Sequence, residues 1–160
     1  MALASINGFI GYHPVDHNVK FSGADTEELY QKNLKLQSTD WYYRTHNVSY
    51  VRNSNGHRCK DINDIDLDNY ILYTGCSHTE GIGLSLEDSY AYKLAKELNC
   101  DYYNLAMAGG GIDTMIHNLN MWLNTVNKRP KYIICQWPDS ARYLAYNEGT
   151  YEFHGLWEKD

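Results

Sequence analysis

Ser77 lies in the stretch Tyr73-Thr74-Gly75-Cys76-Ser77-His78-Thr79-Glu80-Gly81-Ile82-Gly83, directly after an apolar run from Tyr70 to Tyr73. The run reads as a buried strand, and the glycines permit a sharp turn into a helix. A serine in such a turn presents its hydroxyl beside backbone N–H groups that have no helical partner. Those groups can hold a developing oxyanion, so the chemistry the stretch could do is acyl transfer through Ser77. The plain alternative is that Ser77 caps the helix that follows. A second turn, Ala108-Gly109-Gly110-Gly111, also opens a helix and can bind an anion through its N–H groups. A third, after Trp137-Pro138, carries Asp139, with Arg142 three residues on. Asp139 suits an orienting or polar pocket role. Arg142 could bind a substrate anion or stack on Trp137. His154 is the downstream histidine best placed by order to act as a base, with Glu152 close by. His78 follows Ser77 directly, which turns its side chain elsewhere.

The elements around these turns follow from periodicity. Ser89 to Asn99 predicts a helix, with Tyr90, Leu94 and Leu98 four apart. Cys100 to Ala106 predicts a short strand. Gly111 to Asn127 predicts a second helix, with Ile112, Met115, Ile116, Leu119, Trp122, Leu123 and Val126 as its stripe; Pro130 lies beyond its end. Tyr132 to Trp137 predicts a third buried strand, closed by Pro138. The order strand, helix, strand, helix, strand implies parallel neighbours. The turns at Ser77, Gly109 and Asp139 then share the carboxyl edge of one sheet, where ligands of open α/β sheets bind.

Upstream the pattern is weaker. Residues 1 to about 24 show no period and read as an irregular arm. Asp25 to Glu28 resembles a capping box at the start of a helix over 26–36. Residues 47–52 alternate as a strand, and Asn55-Gly56 is a hairpin signal. The expected division is an arm, short helix and hairpin over 1–65 packed on an α/β core over 66–160.

Gly75-Cys76-Ser77 together with Asn104-Leu105-Ala106-Met107-Ala108-Gly109 resembles the SGNH (GDSL-like) hydrolase superfamily. Cys76 stands where its first block has Asp, and Ala106 where its second block has an earlier Gly. Asn53-Ser54-Asn55-Gly56-His57-Arg58 resembles an approach segment found in some members, and the resemblance spans about residues 47 to 142. It implies a three-layer SGNH/flavodoxin-like domain with a central parallel sheet. It also implies Ser77 as nucleophile and Gly109 as an oxyanion donor. The third block falls on Trp137 to Ser140 and puts Asp139 where an oxyanion-binding Asn is expected. The fourth block, Asp-x-x-His, has no counterpart: no Asp in the chain has His three positions later. The implied activity is that of a serine ester hydrolase or acyltransferase on a small ester or acylated carbohydrate, needing neither metal nor organic cofactor. The alternative is a catalytically degenerate module of the same type, with a binding or structural role such as a virus-encoded assembly component. A C-terminally incomplete core is a further reading.

Composition narrows the partners. The 160 residues carry a net charge of −6 and no basic cluster, which argues against nucleic acid or an anionic membrane. The 15 tyrosines against 3 phenylalanines suit half-buried strand positions, or a cleft or homo-oligomer interface. Four cysteines lack metal-ligand spacing; Cys100 and Cys135 read as small buried hydrophobes. Neither a signal peptide nor a run of transmembrane length is expected, so the expected setting is soluble, cytoplasmic or virion-associated.

Overall fold

A computed structural model describes residues 3–12, 18–19, 26–147 and 150–155. The strands are β1 (Leu3–Ile6), β2 (Phe9–Tyr12), β3 (Asn18–Val19), β4 (Val48–Ser49), β5 (Tyr70–Thr74), β6 (Asp101–Asn104), β7 (Tyr132–Cys135), β8 (Tyr143–Asn147) and β9 (Thr150–His154). The helices are α1 (Glu27–Leu36), α2 (Ser77–Glu80), α3 (Tyr90–Glu97) and α4 (Ile112–Thr125).

β5 is the centre of a three-stranded parallel sheet in the order β6-β5-β7. Tyr73 lies opposite Asn104 on one side and Ile134 on the other. All five β5 residues are buried, as a strand covered on both faces requires. α3 covers β5 and β6, with Ala91 and Ala95 buried against them. Ser89 caps α3: its hydroxyl accepts from Tyr92 N–H at 3.3 Å.

The expected three-layer domain around a central parallel sheet is not what the chain forms. The parallel sheet stops at three strands. A larger antiparallel sheet, β2-β1-β9-β8, is built from two hairpins far apart in sequence and joined where Leu3 faces Tyr151. The segment expected to be an irregular arm supplies half of it. Asn7 (φ 52°) and Gly8 (φ 87°) make the turn between β1 and β2, both in the left-handed region that Asn-Gly hairpin turns need. In the second hairpin Asn147 pairs with Thr150. α4 joins the sheets instead of simply roofing one. Its Trp122 is buried against Tyr70 and Tyr103 of the parallel sheet, donating to Tyr70 Oη at 3.0 Å. Its Asn118 binds the β2 edge, accepting from Ile10 N–H at 2.8 Å and donating to Ile10 O at 2.9 Å. That side-chain amide satisfies backbone groups an edge strand would otherwise leave open.

Other expectations are corrected in detail. Thr26, not Asp25, is the cap of α1, accepting from Leu29 N–H at 3.2 Å; Asp25 lies outside the described residues. The 47–52 strand shrinks to Val48–Ser49, and Asn55-Gly56 closes a tight turn in which Asn53 N–H donates to His57 O at 2.8 Å. β7 is an uncovered edge, with Tyr132 46% and Ile133 45% exposed. Cys135 is exposed and Cys100 only partly covered. Among the described residues, no helix is long and apolar enough to cross a membrane.

Candidate functional site

The first two turns leave neighbouring strands side by side. Ser77 begins α2 directly beyond β5. The glycine turn lies beyond β6, whose chain continues alongside β5: Leu105 N–H donates to Tyr73 O at 2.9 Å and Met107 N–H to Gly75 O at 3.3 Å. Asn104 ties the turns together, donating to Thr79 O at 2.7 Å and accepting from Ala106 N–H at 3.1 Å.

Ser77 is not a helix cap. Cys76 holds that position without a side-chain bond, and the Cys76 carbonyl accepts from Thr79 and Glu80 at 3.0 and 2.9 Å. Ser77 itself is half-buried. Among the described residues its hydroxyl has no hydrogen-bond partner, and neither its N–H nor that of Gly109 donates to the protein. These are the groups an acyl-transfer site leaves open.

What holds them is a set of buried charges that sequence reasoning missed. Glu80, at the end of α2, is 1% exposed. One carboxylate oxygen pairs with Arg52 Nη2 at 2.9 Å; the other accepts from Ala108 N–H at 2.6 Å, one residue before Gly109. The carboxylate therefore staples the Ser77 helix to the glycine turn. Burial pushes its pKa up, opposed by the Arg52 guanidinium and the Ala108 N–H. Arg52 lies over the Tyr12 ring at 4.5 Å, and Tyr12 Oη donates to Ala108 O at 2.7 Å. Arg58 closes the same C-terminal end of α2, donating to Glu80 O at 3.3 Å and Gly81 O at 2.6 Å, and also to Leu84 O in the loop beyond at 2.7 Å. A guanidinium on the last carbonyls of a helix is favourable electrostatically as well as through its hydrogen bonds. The one signal available in sequence was the tight run Asn53 to Arg58.

The third turn is separate in character. Asp139 is exposed; its carboxylate accepts from Ala141 N–H at 2.9 Å and its carbonyl from Arg142 N–H at 3.2 Å, so it shapes the turn leaving β7. From there the β8–β9 hairpin folds back over the glycine turn. The Arg142 carbonyl lies against Gly111, Leu144 N–H donates to Asp113 Oδ2 at 2.5 Å, and Phe153 packs on Gly109. The ring of Phe153 faces the second core cluster with Leu144 and Met107. Neighbouring strand residues point to opposite faces. His154 accordingly stacks on Tyr143 at 5.2 Å, with its Nε2 3.6 Å from Glu152 Oε2. Among the described residues no histidine hydrogen-bonds Ser77, and no group of His, Cys, Asp and Glu is placed to hold a metal ion.

Gly109 has φ +84°, and a Cβ there would come 3.1 Å from Phe153 Cδ2. Gly109→Ala should destabilise the fold by about 1–2 kcal/mol, from the left-handed backbone alone. Urea unfolding would measure it, and an unchanged midpoint would contradict the left-handed backbone at Gly109. No family model matches the chain, and no curated protein or solved structure matches it.

Proposed function

We propose that the chain carries the nucleophile and oxyanion donors of a serine ester hydrolase or acyltransferase. Ser77 Oγ attacks the ester carbonyl carbon, and the carbonyl oxygen takes up charge against the Ser77 and Gly109 N–H groups. Collapse breaks the bond to the alcohol, which leaves with the Oγ proton, and the acyl group stays on Ser77. Water or another alcohol then takes the acyl group. The observation that supports this most is the pair of open N–H groups at Ser77 and Gly109, on turns that leave adjacent strands and are stapled by Glu80.

Without a histidine bonded to Ser77, both steps lack the roughly 10²- to 10⁴-fold that a positioned base supplies. Hydrolysis of a simple acetyl ester is therefore expected to be weak. The test is intact-mass analysis of the 160-residue protein after incubation with p-nitrophenyl acetate. The expected result is an acetyl group on Ser77, absent in Ser77→Ala, whose melting temperature stays at the wild-type value because no cap bond is lost. Acetylation and turnover that persist in Ser77→Ala would refute the nucleophile.

A binding or structural module without turnover is the second reading. The packing of Phe153 over Gly109 and the turn of His154 toward Tyr143 favour it. It expects no adduct at Ser77 with any ester.

A further inference from the structure

A groove of about 760 Å³ runs between the chain leaving α2 and the outer face of α3. That size falls within the range of small-molecule sites. Its walls are apolar: Ile82 and Leu84 from the loop, Tyr90 and Leu94 from α3, one helical turn apart on one face. Gly81 lets the loop part from α2 at φ +79°, and a Cβ there would come 2.8 Å from Ser89 Cβ. His78 and Gly81, on either side of the α2 C-terminal half, also line the groove. Ser77 adjoins His78 and lies one helical turn before Gly81, on the same side of α2. The groove is thus lined by the residue next to Ser77, though not by Ser77 itself.

The groove's charged side chains are Lys93, Asp88 and Glu97, and its one lysine is already paired. Lys93 pairs with Asp88 at 2.9 Å, and the Asp88 carboxylate also accepts from Tyr42 Oη at 2.9 Å and Ser85 Oγ at 2.8 Å. The Tyr90 hydroxyl is spent on Thr79 Oγ1 at 2.9 Å, leaving its exposed ring as groove wall.

We propose that this groove binds the aliphatic acyl chain of an ester, with the carbonyl end at the Ser77 turn. The substrate class is then a medium-chain acyl ester, and chain length is read by Ile82, Leu84, Tyr90 and Leu94. The placement of the carbonyl rests on the acyl-Ser77 reading; binding of the chain does not.

The two are separated by experiment. Octanoate and acetate are titrated calorimetrically into the 160-residue protein. Octanoate should bind saturably and acetate should not. Leu94→Gln and, independently, Leu84→Gln should each weaken octanoate binding by about fivefold or more, on the scale of at least one methylene's worth of contact. Ser77→Ala should bind octanoate as wild type does. Absence of saturable octanoate binding to the wild type, or equal binding by both groove variants, overturns the groove. The rate of Ser77 acylation by p-nitrophenyl esters should rise from acetyl to octanoyl by on the order of tenfold to a hundredfold. Leu94→Gln should flatten that rise. A flat series in the wild type overturns the proposed alignment of groove and serine. If no ester acylates Ser77, the nucleophile reading fails, and the octanoate titration alone decides the groove.

Discussion

Glu80→Ala should lower the stability of the fold by about 3–5 kcal/mol, the usual consequence of removing one partner of a buried ion pair. The Arg52 side chain is fully buried, and among the described residues its Nε and Nη1 already have no hydrogen-bond partner. Loss of the Glu80 carboxylate would leave the whole guanidinium uncompensated beside Tyr12 and Tyr50. It would also orphan the Ala108 N–H, which now donates at 2.6 Å. At roughly 2–4 °C per kcal/mol for a chain of this size, the melting temperature should fall by about 10 °C. Adding Arg52→Met to Glu80→Ala should recover part of the loss, because the stranded charge goes with it. The same pair joins α2 to the glycine turn, so Glu80→Gln, which keeps the shape and one acceptor but not the charge, should also slow Ser77 acylation. A Glu80→Ala variant that melts with the wild type would mean that the pair is not buried as described.

The buried pair was the part of the site least legible in the sequence. Asp, Glu, Lys and Arg are mostly exposed, and nothing at position 52 or 80 signals otherwise; their burial arises only when the 50–60 run is laid across α2. Ser77 and Gly109 were legible because glycine punctuation and helical period coincide there. The parallel pairing of β5, β6 and β7 was legible for the same reason: two helices of clear period separate three short apolar runs. The antiparallel sheet was not. Its strands are four or five residues long, too short for alternation to stand out, and the contact that unites them joins Leu3 to Tyr151 across almost the whole chain. The Asn7-Gly8 signal was present, but its flanks, Leu3 to Ile6 and Phe9 to Tyr12, do not alternate cleanly; β2 is buried at all four positions. β7 misled in the opposite sense. Tyr132, Ile133 and Ile134 are as apolar as a central strand, yet the strand is an uncovered edge, and residue type alone does not distinguish the two. Chain order points to His154, but chain order is blind to strand parity. Phe153, its neighbour, is the residue that meets Gly109.

Acidification from pH 6.5 to pH 4 should cost the fold about 3 kcal/mol through a single residue, His57. Its ring is 1% exposed. One ring nitrogen lies 3.1 Å from Tyr103 Oη and the other 3.2 Å from Ile10 O, with Asn118 Nδ2 at 3.5 Å and the Phe9 ring edge-on. Burial lowers its pKa from 6.5 to about 4, with Arg52 acting in the same sense and the Ile10 carbonyl against it. The unfolded chain binds a proton near pH 6.5 and the folded chain only near 4, so stability falls as pH drops through that window and levels off below it. The gap between the two values, at 1.36 kcal/mol per unit, sets the size. Other groups act elsewhere or in the other direction. Asp88, held at about 2 by Lys93, Ser85 and Tyr42, costs stability only below its ordinary value of 3.8. Glu80, whose pKa burial raises above 4.5, gains stability as pH falls toward that value. The difference between wild type and His57→Gln therefore isolates the histidine. His57→Gln should be less stable at pH 7, where the ring's bonds are lost, but its urea midpoint should change far less between pH 6.5 and pH 4. Parallel slopes in the two proteins, or an NMR titration placing the His57 ring near 6.5, would show that the imidazole is not sealed between β2, β6 and α4.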